Sequence, residues 1–141
     1  MKDDLIKQLR RDEGEVLNAY QDHLGYWTIG VGRLIDKRKG GGITAEESAH
    51  LLNNDIDKRV AELLLRAPWM GELAPARFGA LVNMAFQLGV NGLLGFKNTL
   101  AKIESGDHSG AADSMLESKW ATQTPARAAR IAKQILTGEW Q

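Results

Sequence analysis

The chain has 141 residues and a mass of 15.5 kDa, the size of one compact domain with room for two lobes. Its 18 basic and 18 acidic residues balance, so it lacks the basic excess that drives nucleic-acid binding. Cysteine is absent, so stability does not depend on redox state. The N-terminus, M-K-D-D-L-I-K-Q-L-R-R, interrupts each apolar pair with charge, which argues against a secretion signal or a membrane anchor.

The N-terminal part of the chain changes from helical to strand-like periodicity. A helix is predicted from Asp3 or Asp4 to Glu13, because apolar residues recur at helical spacing and a glycine follows. Over residues 16–35 the period changes toward two, and strand formers alternate with glycines. This pattern predicts a small antiparallel sheet of two or three short strands, with a turn at residues 23–26.

A charged, glycine-rich stretch separates the predicted sheet from a long helix. Residues 36–42 read D-K-R-K-G-G-G and show no periodicity, which predicts a loop. Thr44 and Glu47 have the spacing of a capping box, so a helix is expected to begin here. Its apolar residues continue at helical spacing to Arg66, and Pro68 is expected to stop it.

The rest of the sequence predicts a helical bundle closed by Trp120 and Trp140. The first helix of the bundle is apolar nearly all round, which is typical of a helix buried in the middle of a domain. The positions of glycine, proline and capping residues predict where the helices of the bundle begin and end. The predicted helices begin at Pro75, with Gly89, Gly92 and Gly95 forming turns after it; at Asn98 or Thr99, ending at Gly106; at Asp107 or Ser109, running through Lys119; and at Thr124-Pro125, ending before Gly138.

Glu13, Asp22 and Thr28 are the types of group needed to hydrolyse a glycosidic bond. A carboxylic acid must protonate the leaving oxygen, while a carboxylate on the opposite face aligns or deprotonates a water molecule. A threonine hydroxyl can help to hold that water. We expect the acid in an apolar cleft and its partner in more polar surroundings. In a chain with 18 acidic residues, however, two carboxylates alone could equally be solvated surface groups.

Several longer strings strengthen this interpretation, because together they resemble one family. The strings are D-E-G after the first helix, A-Y-Q-D, G-Y-W-T-I-G-V-G, T-A-E-E-S-A-H-L-L-N-N-D-I-D, L-V-N-M-A-F-Q-L-G, G-F-K-N-T-L and W-A-T-Q-T-P-A-R-A-A-R. In this order they are similar to the phage-type lysozymes, a family of endolysins. The resemblance covers nearly the entire chain.

The resemblance implies an α+β, mostly α-helical, lysozyme-like fold in a single domain, residues 1–141. A small antiparallel β-sheet lobe, residues 14–43, would be joined by an interlobe helix, residues 44–66, to a helical-bundle lobe. That lobe would comprise residues 67–141 together with residues 1–13. The implied activity is that of a glycoside hydrolase acting on the β-1,4 bond between N-acetylmuramic acid and N-acetylglucosamine in peptidoglycan, causing cell lysis.

The resemblance also assigns roles to single residues. Glu13 would be the general acid, Asp22 would position or activate the water, and Thr28 would help to seat it. Sugar contacts fall on Leu34, Phe86, Thr99 and Ser114. The last two depart from the family in residue type, since serine is common at the first position and a longer amide is known at the second.

Two arginines match family positions that are expected to make polar contacts. Arg127, in T-P-A-R, matches an arginine that approaches the catalytic glutamate, so we expect it to orient and close the site. Arg33 stands where a family histidine pairs with an aspartate on the interlobe helix. Asp55 matches that aspartate, which predicts an ion pair between Arg33 and Asp55.

The expected partner is the glycan strand of peptidoglycan, bound by a monomer with neither nucleic-acid binding nor membrane insertion. No cofactor and no metal are expected, because His23, His50 and His108 are too scattered to form a metal site by spacing. The resemblance and the N-terminus suggest residence in the host cytoplasm until a separate pore releases the protein to the cell wall.

Three alternatives remain open from the sequence. The chain could be an inactive peptidoglycan-binding relative, which has no reason to retain Glu13, Asp22 and Thr28 together. It could be a lytic transglycosylase, which needs the acid but not a water-positioning aspartate and leaves an anhydro sugar end. The final helices, with Arg127 and Arg130, could instead form a nucleic-acid module, against which the neutral charge balance argues.

Overall fold

The computed structural model describes residues 2–39 and 42–141; Gly40 and Gly41, within the predicted loop at 36–42, lie outside the described residues. The described part contains seven α-helices, three strands and one 3₁₀ helix, which confirms the predicted mostly helical α+β class. In chain order the elements are α1 (Lys2–Glu13), β1 (Val16–Gln21), β2 (Trp27–Gly30), β3 (Arg33–Leu34), α2 (Ala45–Arg66), the 3₁₀ helix (Pro68–Glu72), α3 (Pro75–Leu94), α4 (Lys97–Ser105), α5 (His108–Leu116), α6 (Lys119–Gln123) and α7 (Pro125–Thr137).

The chain divides into two compact units, Met1–Leu51 and Leu52–Gln141, and the division falls within α2. The first unit contains α1, the sheet and the start of α2. The second contains the rest of α2 and the helical bundle. The sequence placed residues 1–13 in the helical lobe, whereas the contacts of the structure group α1 with the sheet.

The sheet of the first unit is antiparallel, with strand order β1-β2-β3. Tyr20 pairs with Thr28, and Thr28 pairs with Leu34. Residues directly opposite each other in an antiparallel sheet project from the same face. The register therefore places these three side chains in one row.

The start of α2 confirms the predicted capping box. The Glu47 backbone N–H donates to the Thr44 hydroxyl at 3.1 Å, and the Thr44 N–H donates to Glu47 Oε2 at 3.0 Å. These bonds satisfy backbone donors that a helix start would otherwise leave unpaired. The other end also matches the prediction, because α2 ends at Arg66, shortly before Pro68.

The hydrophobic core of the second unit is formed by buried residues of α2, the 3₁₀ helix and α3 to α7. Its largest fully buried side chains are Leu63, Met70, Leu81, Met84, Leu93, Ile103, Met115 and Ile135. Full burial of one such side chain stabilises a fold by roughly 1.5–3 kcal/mol. Across the described residues no single helix is long and apolar enough to cross a membrane; α3 and α4 qualify only as a pair, which is bent by 100°.

Three details of the bundle differ from the sequence prediction. Gly89 adopts φ +76° and kinks α3, but the chain then continues as helix to Leu94 because Val90 and Leu93 are buried in the core. Lys119 begins α6 instead of ending α5, because the Ser118 side chain caps a new helix. Trp140 is 68% exposed and does not close the core, in contrast to Trp120, which is 4% exposed.

Candidate active site

A cavity of about 690 Å³ in the first unit brings the three predicted catalytic residues together. Glu13 reaches it from the end of α1, Asp22 from the turn after β1, and Thr28 from β2. Leu34, one of the predicted sugar contacts, lies in the same cavity. The complete lining is Glu13, Tyr20, Gln21, Asp22, His23, Tyr26, Thr28, Gly32, Leu34 and Lys37.

Asp22 is fixed by the turn that joins β1 to β2. Its Oδ1 accepts hydrogen bonds from the backbone N–H groups of Leu24 and Tyr26, both at 2.9 Å. The N–H of Tyr26 is the largest cause that holds the Asp22 pKa below its usual value, and that of Leu24 acts in the same direction, because both stabilise the charged form. Asp22 is thus an oriented carboxylate on the wall of the cavity.

Tyr26 connects Asp22 and Thr28 through its backbone. Its N–H donates to the Asp22 carboxylate, and its carbonyl accepts from the Thr28 hydroxyl at 3.1 Å. The same carbonyl accepts from the Asp22 N–H at 2.8 Å. Because the hydroxyl proton of Thr28 points to this carbonyl, the lone pairs of its oxygen can accept a hydrogen bond from a water molecule.

Glu13 is the last residue of α1 and is followed by Gly14, whose φ of +76° ends the helix. Its carboxyl group lies against Gly32, in the connection between β2 and β3. The side chain is exposed. The first unit by itself therefore does not supply the apolar surroundings expected for a general acid.

The remaining predicted sugar contacts lie in the second unit. Phe86, 39% exposed, borders an apolar cavity of about 510 Å³ that Asn83, Arg127 and Trp140 also line. Thr99 is buried, and its hydroxyl donates to the Ser114 hydroxyl at 3.0 Å. The structure thus brings Thr99 and Ser114 together as a bonded pair. Their contact with a sugar stays a prediction.

Arg127 is anchored by Asn83 of α3. Its Nε donates to Asn83 Oδ1 at 3.0 Å, and its Nη2 donates to the same oxygen at 2.7 Å and to the Asn83 carbonyl at 3.2 Å. This forked arrangement uses the planar guanidinium and fixes its direction. The expected approach of Arg127 to Glu13 stays a prediction.

Arg33 forms its ion pair with Glu47, and the sequence prediction had named Asp55 instead. Glu47 already accepts from Thr44 through Oε2, and Arg33 contacts its other oxygen, Oε1. Both partners belong to the first unit, where β3 and the first turn of α2 meet.

Sequence reasoning missed two contributors to this site, the backbone of Tyr26 and the bare backbone of Gly32. The string G-Y-W-T-I-G-V-G contains both, but in both cases the contribution comes from the backbone and not from a side chain that residue type would indicate. Their roles depend on strand register and on the approach of α1. No group of three or more potential metal ligands occurs among residues 2–39 and 42–141.

Comparison with known proteins shows the family of the chain. A family model described as phage lysozyme matches residues 10–133. The chain is 34% identical to "Probable T4-type lysozyme 1" of Dictyostelium discoideum, with 92% of each chain covered. It is 34% identical to "Endolysin" of Salmonella phage P22, over 85% of this chain and 84% of that protein. It is also 33% identical to "Pre-baseplate central spike protein Gp5" of Enterobacteria phage T4, over 95% of this chain but 28% of that protein.

Proposed function

Because this chain belongs to the phage lysozyme family, we propose that it is an endolysin that hydrolyses peptidoglycan and so causes cell lysis. The proposed target is the β-1,4 bond between N-acetylmuramic acid and N-acetylglucosamine. The observation that carries the proposal is the single cavity lined by Glu13, Asp22 and Thr28. "Endolysin" is also the name of relatives from two phages, which supports the same class of activity.

In the proposed reaction Glu13 donates a proton to the glycosidic oxygen as the bond breaks. The sugar then carries positive charge spread over its ring oxygen and anomeric carbon. Asp22 stabilises that charge as a carboxylate, and the Tyr26 and Leu24 N–H groups that lower its pKa hold it in place. The acid and the carboxylate thus have different tasks because they differ in position and hydrogen bonding.

The water that completes hydrolysis is proposed to lie between Asp22 and Thr28. The Asp22 carboxylate accepts a hydrogen bond from the water and takes that proton as the water oxygen bonds to the anomeric carbon, and the Thr28 oxygen accepts a hydrogen bond from the other O–H. Because the Tyr26 backbone holds both side chains, the two acceptors are set before substrate arrives. Such prior orientation lowers the cost of bringing water to the reacting carbon.

The first test is mass spectrometry of purified peptidoglycan after digestion. Hydrolysis should give fragments with reducing N-acetylmuramic acid ends. Anhydro ends would show a lytic transglycosylase and overturn the proposal. Undigested walls with retained binding would show an inactive binding relative and would also overturn it.

The second test replaces the proposed acid. Glu13→Gln should lower the rate of wall turbidity loss by about a hundred- to ten-thousand-fold, which is the usual contribution of general acid catalysis. Glu15→Gln is the matched control, because Glu15 is an exposed carboxylate two residues away that pairs with Arg10 at 3.3 Å. It should keep wild-type activity. A fully active Glu13→Gln protein would contradict the assignment of the acid.

A further inference from the structure

The hairpin formed by β2 and β3 contains two glycines with nearly the same backbone conformation and different surroundings. Gly30 is the last residue of β2, and Val31 and Gly32 connect it to β3. Gly30 has φ +67° and Gly32 has φ +63°, both in the left-handed region that favours glycine. A Cβ atom at Gly30 would have no heavy atom within 4 Å.

A Cβ atom at Gly32 would collide with the proposed general acid. It would lie 2.7 Å from Glu13 Oε2, 3.0 Å from its Cδ and 3.2 Å from its Cβ. Carbon atoms without a bond between them prefer separations of about 3.5–4.0 Å. A methyl group at position 32 and the present position of the Glu13 carboxyl group are therefore incompatible.

We propose that Gly32 is a positioning residue for catalysis, because its lack of a side chain provides the space that holds the Glu13 carboxyl group in the cavity. This inference rests on the proposed function, in which Glu13 is the acid. The Glu13 side chain is exposed and flexible, so it can turn away from an added methyl group. An added methyl group at position 32 should therefore disturb the position of the proton donor more than the stability of the fold.

The paired variants Gly32→Ala and Gly30→Ala separate this role from backbone strain. Both place alanine at a left-handed φ in the same hairpin, so both carry similar strain. Only Gly32→Ala also displaces Glu13. Both proteins should unfold at similar temperatures. A misplacement of about 1 Å can cost about a hundredfold in rate, so kcat of Gly32→Ala should lie about a hundredfold below that of Gly30→Ala.

The same two changes in a Glu13→Gln background test whether Gly32 acts through the acid. Once the proton donor is absent, Gly32→Ala should not reduce the residual rate further than Gly30→Ala. Binding of soluble glycan strands by these double variants should be equal. Weaker binding by the Gly32→Ala double variant would mean that the methyl group blocks the sugar, and it would overturn the positioning role.

Failure of this inference can be distinguished from failure of the proposed function. If the wild-type protein releases no reducing ends from peptidoglycan, the proposed function fails. If the wild type is active and Gly32→Ala matches Gly30→Ala in kcat, only the role of Gly32 fails. A crystal structure of Gly32→Ala that retains the Glu13 carboxyl position would overturn it as well.

Discussion

Replacing the Thr28 hydroxyl with a methyl group separates the catalytic role of this residue from its structural role. Thr28 is only 5% exposed, and its hydroxyl donates to the Tyr26 carbonyl at 3.1 Å. In Thr28→Val that carbonyl keeps a donor, because it also accepts from the Asp22 N–H at 2.8 Å. The variant consequently avoids the penalty of a buried carbonyl without any partner.

The expected stability change in Thr28→Val is small. Loss of one neutral hydrogen bond lowers the free energy of unfolding by about 0.5–1.5 kcal/mol. The added methyl group returns up to about 0.8 kcal/mol through burial. A net loss below about 1 kcal/mol corresponds to a fall in Tm of no more than about 4 °C for a domain of this size.

The expected loss of activity is larger. One hydrogen bond of about 0.5–1.5 kcal/mol to the attacking water accounts for up to about tenfold. A poorly aligned water raises the loss toward about a hundredfold. Thr28→Ser is the matched variant: it keeps the hydroxyl but deletes a buried methyl group, which costs about 1 kcal/mol of stability. We expect the activity of the serine variant to exceed that of the valine variant by up to about tenfold from the hydrogen bond it keeps, and by up to about a hundredfold if the water is also misaligned in the valine variant.

Initial rates of turbidity loss with purified walls and thermal unfolding by circular dichroism test this order. Thr28→Val should be at least as stable as Thr28→Ser, whereas Thr28→Ser should be the more active of the two. If activity instead follows stability in both variants, Thr28 has only a structural role. That outcome would refute the proposed water site.

The remaining predictions concern the two aspartates with lowered pKa. Asp22→Asn keeps an oxygen that can accept a hydrogen bond from the backbone but removes the charge, so activity should fall by about a hundred- to ten-thousand-fold. Asp36→Asn is the matched control, because Asp36 also accepts a hydrogen bond from the backbone N–H two residues later in a turn, and this variant should stay active. An equal loss in both variants would contradict the assigned role of Asp22. Arg38 holds the pKa of Asp36 at about 2, below the usual 3.8, so Asp36 stabilises the fold above pH 3.8 and loses this effect as the pH falls toward about 2. The difference in Tm between wild type and Asp36→Asn should therefore close over that interval, and a constant difference would show that the pair with Arg38 does not stabilise the fold.

The sequence by itself predicted most of the helices and strands, and its resemblance to a known family named the proposed reacting groups. The capping box of Thr44 and Glu47, the cap at Asp107 and the glycine after α7 are signals between neighbouring residues, and each appears in the structure as predicted. They could be predicted because caps and helical periods depend on a few adjacent residues. The roles of Glu13, Asp22 and Thr28 were instead implied by the family resemblance of the strings around them, and the structure places all three in one cavity.

Tertiary structure alone decided which distant groups meet. Arg33 pairs with Glu47 and Gly32 lies against Glu13, and no local rule of sequence links either pair. The hydrogen bonds of the Tyr26 backbone are local to the turn between β1 and β2, but the pairing of these strands places that turn at the cavity. Such contacts depend on strand register and on helix placement. Burial of apolar side chains over the whole unit determines both, and a shift of one residue in register gives every residue of a strand new neighbours.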